Sequence, residues 1–162
     1  MNFESEEGKG TTFNVFLPIT DKKRAEISPI ISKKYMFSGK VLLMDDEKYV
    51  RNTLKQMLER LGFDVDTTKR GEETIKIYNE KMKQGIPYNL VIMDLTIPSG
   101  MGGKETMQYL KEINPEVLAI VSSGYSNDPI MGHPEEFGFA DVLIKPYSLN
   151  KLRNLLSKYL KQ

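Results

Sequence analysis

The sequence predicts an α/β protein, a doubly wound five-stranded parallel sheet in the order 2-1-3-4-5 with helices on both faces. Three observations lead there. From Lys40 onward, apolar runs of four or five residues alternate with amphipathic stretches, the pattern of repeated strand–helix units whose strands are covered on both sides. Charged residues stand where those runs stop: Asp45 and Asp46 after Val41-Leu42-Leu43-Met44, Asp94 after Leu90-Val91-Ile92-Met93, and Lys145 after Val142-Leu143-Ile144. Glycine and proline punctuate the intervals at element-length spacing.

The first strand ends at the acid pair. Val50, Leu54, Met57, Leu58 and Leu61 recur at helical spacing, so a helix is expected from about Glu47 to Leu61, with Gly62 as its stop. Asp64-Val65-Asp66-Thr67-Thr68 alternates like an edge strand, and a helix from Gly71 to about Lys83 follows before Gly85 and Pro87 end it. Strand three delivers Asp94. Beyond the loop Pro98-Ser99-Gly100-Met101-Gly102-Gly103, Lys104 to Ile113 reads as helix and Leu118 to Ser122 as a central strand, with Pro115 marking the turn between them. Pro129, Gly132 and Pro134 leave only a short or broken helix between Asn127 and Gly138, whereas Leu149 to Leu160 is amphipathic throughout. Strands one and three then flank the switch point of a flavodoxin-like sheet, where the carboxyl ends of the strands line one crevice.

The residues before Lys40 follow another rule. Gly8-Lys9-Gly10-Thr11-Thr12 leads into Phe13-Asn14-Val15-Phe16-Leu17-Pro18, a glycine turn feeding one strand with no evident partner. Residues 20–38, with Lys22-Lys23-Arg24, Pro29 and Lys33-Lys34, read as a linker ahead of a domain spanning 39–162. The whole of 162 residues suits one domain with a tail. With 23 Lys and Arg against 22 Asp and Glu, the net charge of +1 gives no electrostatic case for nucleic acid or an anionic membrane. The absence of cysteine removes disulfides, thiolate catalysis and cysteine metal sites. The apolar runs are far shorter than the ~20 residues of a membrane helix, and the acidic start resembles no signal peptide, so a cytoplasmic location is expected.

Asp45, Asp46 and Asp94 on adjacent strand ends repel one another, so at least one carboxyl should titrate high unless a hard divalent cation takes their oxygens. Mg²⁺ suits that set, with Asp46 and Asp94 as direct ligands, Asp45 as a direct or water-mediated one, and the carbonyl of Thr96 as a further donor. Asp94 would be the nucleophile toward phosphorus, forming an acyl phosphate. Lys145, its direction set by Pro146, would meet one phosphoryl oxygen. Ser123 would donate to another, and Gly124 leaves room for the group to enter.

These motifs carry a resemblance. In order and separation, Val41 to Glu47, Val91 to Pro98, Ser122-Ser123-Gly124-Tyr125 and Ile144-Lys145-Pro146-Tyr147 resemble the response-regulator receiver domains of two-component signalling, over about three quarters of the chain. The resemblance implies that Asp94 accepts a phosphoryl group from a phosphohistidine, on a kinase dimerisation domain or a histidine phosphotransfer protein. It also implies that Ser123 couples the event to a two-state change of the fourth and fifth helical segments. The protein is then a switch, monomeric or weakly dimeric. Its only catalysis would be its own phosphorylation from small donors and its dephosphorylation. Glu4 to Phe13 with Val15 to Pro18 resembles the last glycine motif and strand of a histidine-kinase ATP-binding domain, which implies that residues 1–19 are a remnant of such a domain and that the parent is a hybrid sensor kinase.

Val142, three residues before Lys145, replaces the aromatic residue that many receivers swing inward. Two other functions share parts of the pattern: a pseudo-receiver acting by docking alone, and a haloacid-dehalogenase-type phosphatase, which needs a second acid where Thr96 stands. The glycine loop lacks the spacing of a phosphate-binding loop and is read as turn geometry. His133 has no ligand companions and is read as a surface residue. Tyr125 and Tyr147 are expected to pack beside the site.

Overall fold

The computed structural model describes residues 2–17, 37–98, 100–124 and 128–160, which fall into two compact units, residues 2–17 and residues 37–160. The linker stretch lies outside the described residues except for Phe37 and Ser38, and Phe37 is buried, stacked on Phe63 with ring centroids 5.3 Å apart.

The first unit is a hairpin. Strand β1 (Asn2–Glu6) pairs antiparallel with β2 (Gly10–Asn14), setting Phe3 opposite Phe13 and Ser5 opposite Thr11. The strand expected to stand alone from Phe13 therefore ends at Asn14 and has a partner. Gly8 and Gly10, at φ 78° and 102°, make the reversal that a residue with a Cβ resists. The sequence concealed β1 because its polar residues have no core to face, and every one of them is exposed.

The second unit holds β3 (Lys40–Met44), α1 (Lys48–Arg60), β4 (Asp64–Thr68), α2 (Gly71–Lys83), β5 (Leu90–Asp94), α3 (Gly103–Ile113), β6 (Ala119–Ser123), α4 (Pro129–Gly132), a 3₁₀ turn (Pro134–Phe137), β7 (Asp141–Ile144) and α5 (Leu149–Tyr159). The strands run parallel in the order β4-β3-β5-β6-β7, which is the predicted order. Strand alternation divides the core in two. Val41, Leu43, Ile92, Ile120 and Leu143 pack against Leu54 and Leu58 of α1 and Leu152 and Leu156 of α5. Leu42, Met44, Val91, Met93 and Val121 face Tyr78 of α2 and Met107 and Leu110 of α3. The fourth helical segment is broken, as its prolines required. No helix among the described residues is long and apolar enough to cross a membrane.

Helix α1 stops where expected, at Gly62 with φ 106°. A Cβ there would lie 2.2 Å from the carbonyl oxygen of Phe37, a backbone atom whose own N–H is tied to Leu61 at 2.8 Å. Gly62→Ala therefore combines left-handed strain with a clash that cannot relax locally. A loss of at least ~1–2 kcal/mol in urea unfolding is expected, the penalty for a side chain in this region.

Candidate functional site

The acids of the site sit in the turn Asp45-Asp46-Glu47 between β3 and α1 and at the last residue of β5. Asp45 is fixed on every side: its N–H donates to the Thr68 carbonyl at 3.2 Å, its Oδ1 accepts the Glu47 N–H at 2.9 Å, and its Oδ2 accepts Lys145 Nζ at 2.8 Å. The same ammonium donates to Asp94 Oδ2 at 2.8 Å. Lys145 reaches this position because parallel pairing continues past β7, its N–H donating to the Ser123 carbonyl at 2.9 Å.

Each of Asp45, Asp46 and Asp94 offers an oxygen within 4.8 Å of the others. Asp45 and Asp94 are buried, whereas Asp46 is exposed at the mouth. A crevice of about 300 Å³ opens above them, lined by Asp46, Glu47, Asp94, Thr96, Pro98, Ser123, Gly124 and Lys145. Ser123 lines it as predicted and Ser122 does not, because successive side chains face opposite sides of the sheet in the register that β5 and β7 impose on β6.

Burial pushes the Asp94 carboxyl above its ordinary value, and the hydrogen bond from Lys145 offsets this only in part. For Lys145, burial works to release the proton, but the hydrogen bonds to Asp45 and Asp94 outweigh it and hold the ammonium above its usual range. The site thus presents a fixed cation and a reluctant carboxylate in contact. Such a pair gains from any ligand that brings positive charge to the acids or negative charge to the lysine.

The remaining predicted residues fall into place unevenly. Tyr147 packs against the α1–α5 side of the core, and burial pushes its hydroxyl up to about 12. Ser122 Oγ is close enough to temper that shift, yet the two buried hydroxyls do not reach hydrogen-bond geometry. Tyr125 and Ser99 lie outside the described residues. His133 is exposed beside Glu135, away from the crevice. The glycine loop serves close packing: a Cβ on Gly102 would lie 2.5 Å from the Leu95 carbonyl oxygen, and one on Gly103 2.8 Å from that of Asp94. Arg51 escaped the sequence reading. Its guanidinium lies under the acid turn, and the available signal was its spacing of three and seven residues from Leu54 and Leu58 on the buried face of α1.

Comparison with known proteins identifies the family and the fold. The family model for the response regulator receiver domain matches residues 41–157. The chain is 32% identical to the sensor kinase CckA of Brucella abortus, an alignment covering 98% of this chain but 17% of the kinase. It is 25% identical to sporulation initiation phosphotransferase F of Bacillus subtilis, covering 77% of this chain and 96% of that protein. Among solved structures, the CheX–CheY–BeF3–Mg²⁺ complex of Borrelia burgdorferi matches with a TM-score of 0.67 at 24% identity, covering 76% of this chain and 90% of that one. The magnesium-bound receiver domain of a Pseudomonas aeruginosa sensor histidine kinase matches with a TM-score of 0.65 at 19% identity, covering 75% of this chain and 97% of that one. These two likenesses concern the fold.

Proposed function

The chain belongs to the response regulator receiver domain family of two-component signalling, and from that premise we propose that it is a working phosphoacceptor: Asp94 takes a phosphoryl group in a Mg²⁺-dependent reaction and the domain switches state. The observation that carries this reading is Lys145 Nζ held 2.8 Å from both Asp45 and Asp94 at the floor of an open crevice. A docking module would not require a buried carboxylate with a raised pKa at the base of that opening.

The donor set fits magnesium. Asp46 and Asp94 would hold the ion directly, Asp45 directly or through water, and the Thr96 carbonyl would contribute a further oxygen. A bound Mg²⁺ supplies charge neutralisation on the phosphoryl oxygens. Asp94 attacks phosphorus in line, its carboxylate oxygen forming the new P–O bond while the P–N bond of a phosphohistidine breaks. The imidazole leaves with the electron pair and keeps or gains its proton. Lys145 is displaced toward the incoming oxygens because the phosphorylated Asp94 no longer offers it a full carboxylate. Ser123 donates its hydroxyl proton to another oxygen, which draws the end of β6 toward the group and biases the α4 and α5 face. Val142 is half-buried against the α2–α3 core, so this switch operates without an aromatic residue at that position.

The partner carrying the histidine is a kinase dimerisation domain or a phosphotransfer protein, a reading supported by the kinase relative. That chain is about six times longer than the part matched here, so the parent is proposed to be a hybrid sensor kinase. Residues 1–19 are read as the end of its ATP-binding domain, 20–38 as the linker and 39–162 as the receiver. The magnesium in the Pseudomonas receiver supports the metal assignment.

Incubation with acetyl phosphate and Mg²⁺ should give one phosphoryl adduct by intact-mass spectrometry, and a chelator should abolish it. An adduct that survives chelation, or none with Mg²⁺ present, would overturn the reading.

A further inference from the structure

Arg51 is the only lysine or arginine among the described residues to be buried, at 8% exposure. A cation removed from water is stable only when its protons are well satisfied. Here the acceptors are backbone: Nη1 donates to the carbonyl of Asp45 at 2.5 Å and to that of Asp46 at 3.2 Å. One nitrogen therefore holds two successive peptide planes, those on either side of the Asp46 Cα. Asp45 is already fixed by Thr68 and Lys145, whereas Asp46 is exposed, and the turn that carries it is held by the Glu47 N–H bond to Asp45 Oδ1 and by the Arg51 bonds to the two carbonyls that flank its Cα. The helix that follows gives no help, since its N-cap Glu47 makes no side-chain cap bond.

We propose that Arg51 is a positioning residue for divalent-cation binding: by clamping the carbonyls of Asp45 and Asp46 it aims the Asp46 carboxylate at Asp94. The inference rests on the Mg²⁺ reading above and deepens it. It also opposes a purely electrostatic role for Arg51. As a nearby positive charge, the guanidinium repels a metal ion, so its removal would tighten binding if charge were its main effect. If the clamp dominates, its removal weakens binding, because the turn must then be ordered when the metal arrives.

Calorimetric titration of the full chain with MgCl₂ separates the two. Arg51→Met loses clamp and charge; Arg51→Lys keeps the charge, but its ammonium ends one bond short of the place of Nη1 and cannot span both carbonyls as Nη1 does. Both variants should bind Mg²⁺ at least about tenfold more weakly than wild type, the effect usual for residues that orient metal ligands. The Mg²⁺ concentration giving half-maximal phosphorylation by acetyl phosphate should rise by the same factor, with the rate at saturating Mg²⁺ within about twofold of wild type. A merely structural residue would not divide its effect in this way. If Arg51→Met does not melt cooperatively, Arg51→Lys decides alone. Unchanged or tighter Mg²⁺ binding in a folded variant would overturn the inference and leave the functional reading intact, whereas wild type failing to bind Mg²⁺ would overturn both.

Discussion

Asp94→Asn should lose phosphorylation from acetyl phosphate below detection and, at neutral pH, melt a few degrees higher than wild type. The chemical loss follows from the nucleophile: an amide nitrogen or oxygen in that place has no anionic oxygen to form the P–O bond, and no other carboxylate in the crevice has Asp94's place at the end of β5 above Lys145. The gain in stability follows from burial. Desolvation, with the charge of Asp45, raises the Asp94 carboxyl above its ordinary 3.8 against the lowering effect of Lys145 and Thr96, so the folded state favours the protonated form more than the unfolded state does. A group whose folded value is raised adds stability below its unfolded value and loses it as pH climbs through the folded value. At neutral pH wild type carries that deficit and the neutral isostere does not. A relief of ~1 kcal/mol corresponds to a few degrees in a domain of this size. The advantage should shrink as pH falls toward 3.8, where wild type also carries the proton. Thermal melts at two pH values measure this, and a variant less stable than wild type at neutral pH would mean that the bond to Lys145 outweighs burial.

The elements that place Asp94 and Lys145 were legible because their signals are local and strong. A parallel strand covered on both faces reads as a near-continuous apolar run, and in β3, β5 and β7 the charged residue that ends the run stands at the crevice. Gly62 was legible as a helix stop for a similar reason, since only glycine tolerates its φ with a carbonyl so close. Ser122 and Ser123 were harder: two hydroxyls in succession satisfy the same pattern, and the choice depends on pairing register, which is set by β5 and β7 rather than by β6 itself. Strand β1 was missed because hairpin pairing without burial leaves no hydrophobic imprint. Arg51 was missed because periodicity counts apolar residues, and a cation on the buried stripe of α1 reads as a gap until its acceptors in the preceding turn are seen.

Lys145→Ala should be the most destabilising single change within the crevice, and its cost should depend on pH. Lys145 is the shared partner of Asp45 and Asp94, whose side chains are 2% and 10% exposed. Removing it leaves two carboxylates facing each other with no cation between them, a loss of ~3 kcal/mol or more when one partner of a buried pair is deleted. Protons are the available substitute. The Asp94 carboxyl, already raised by burial and now without the lysine that lowers it, then binds a proton more tightly in the folded chain than in the unfolded one, so the deficit is largest at neutral pH and falls as pH is lowered toward the ordinary carboxylate range. Mg²⁺ should restore part of the lost stability, because it neutralises the same acids. In the double variant with Asp94→Asn, the loss should be clearly smaller than the sum of the separate effects, since one of the stranded charges is gone. Urea unfolding of the four chains at neutral and mildly acid pH, with and without Mg²⁺, reads these terms separately. Additive losses that ignore both pH and Mg²⁺ would mean that Lys145 contributes packing alone, and the charge account of this crevice would fail.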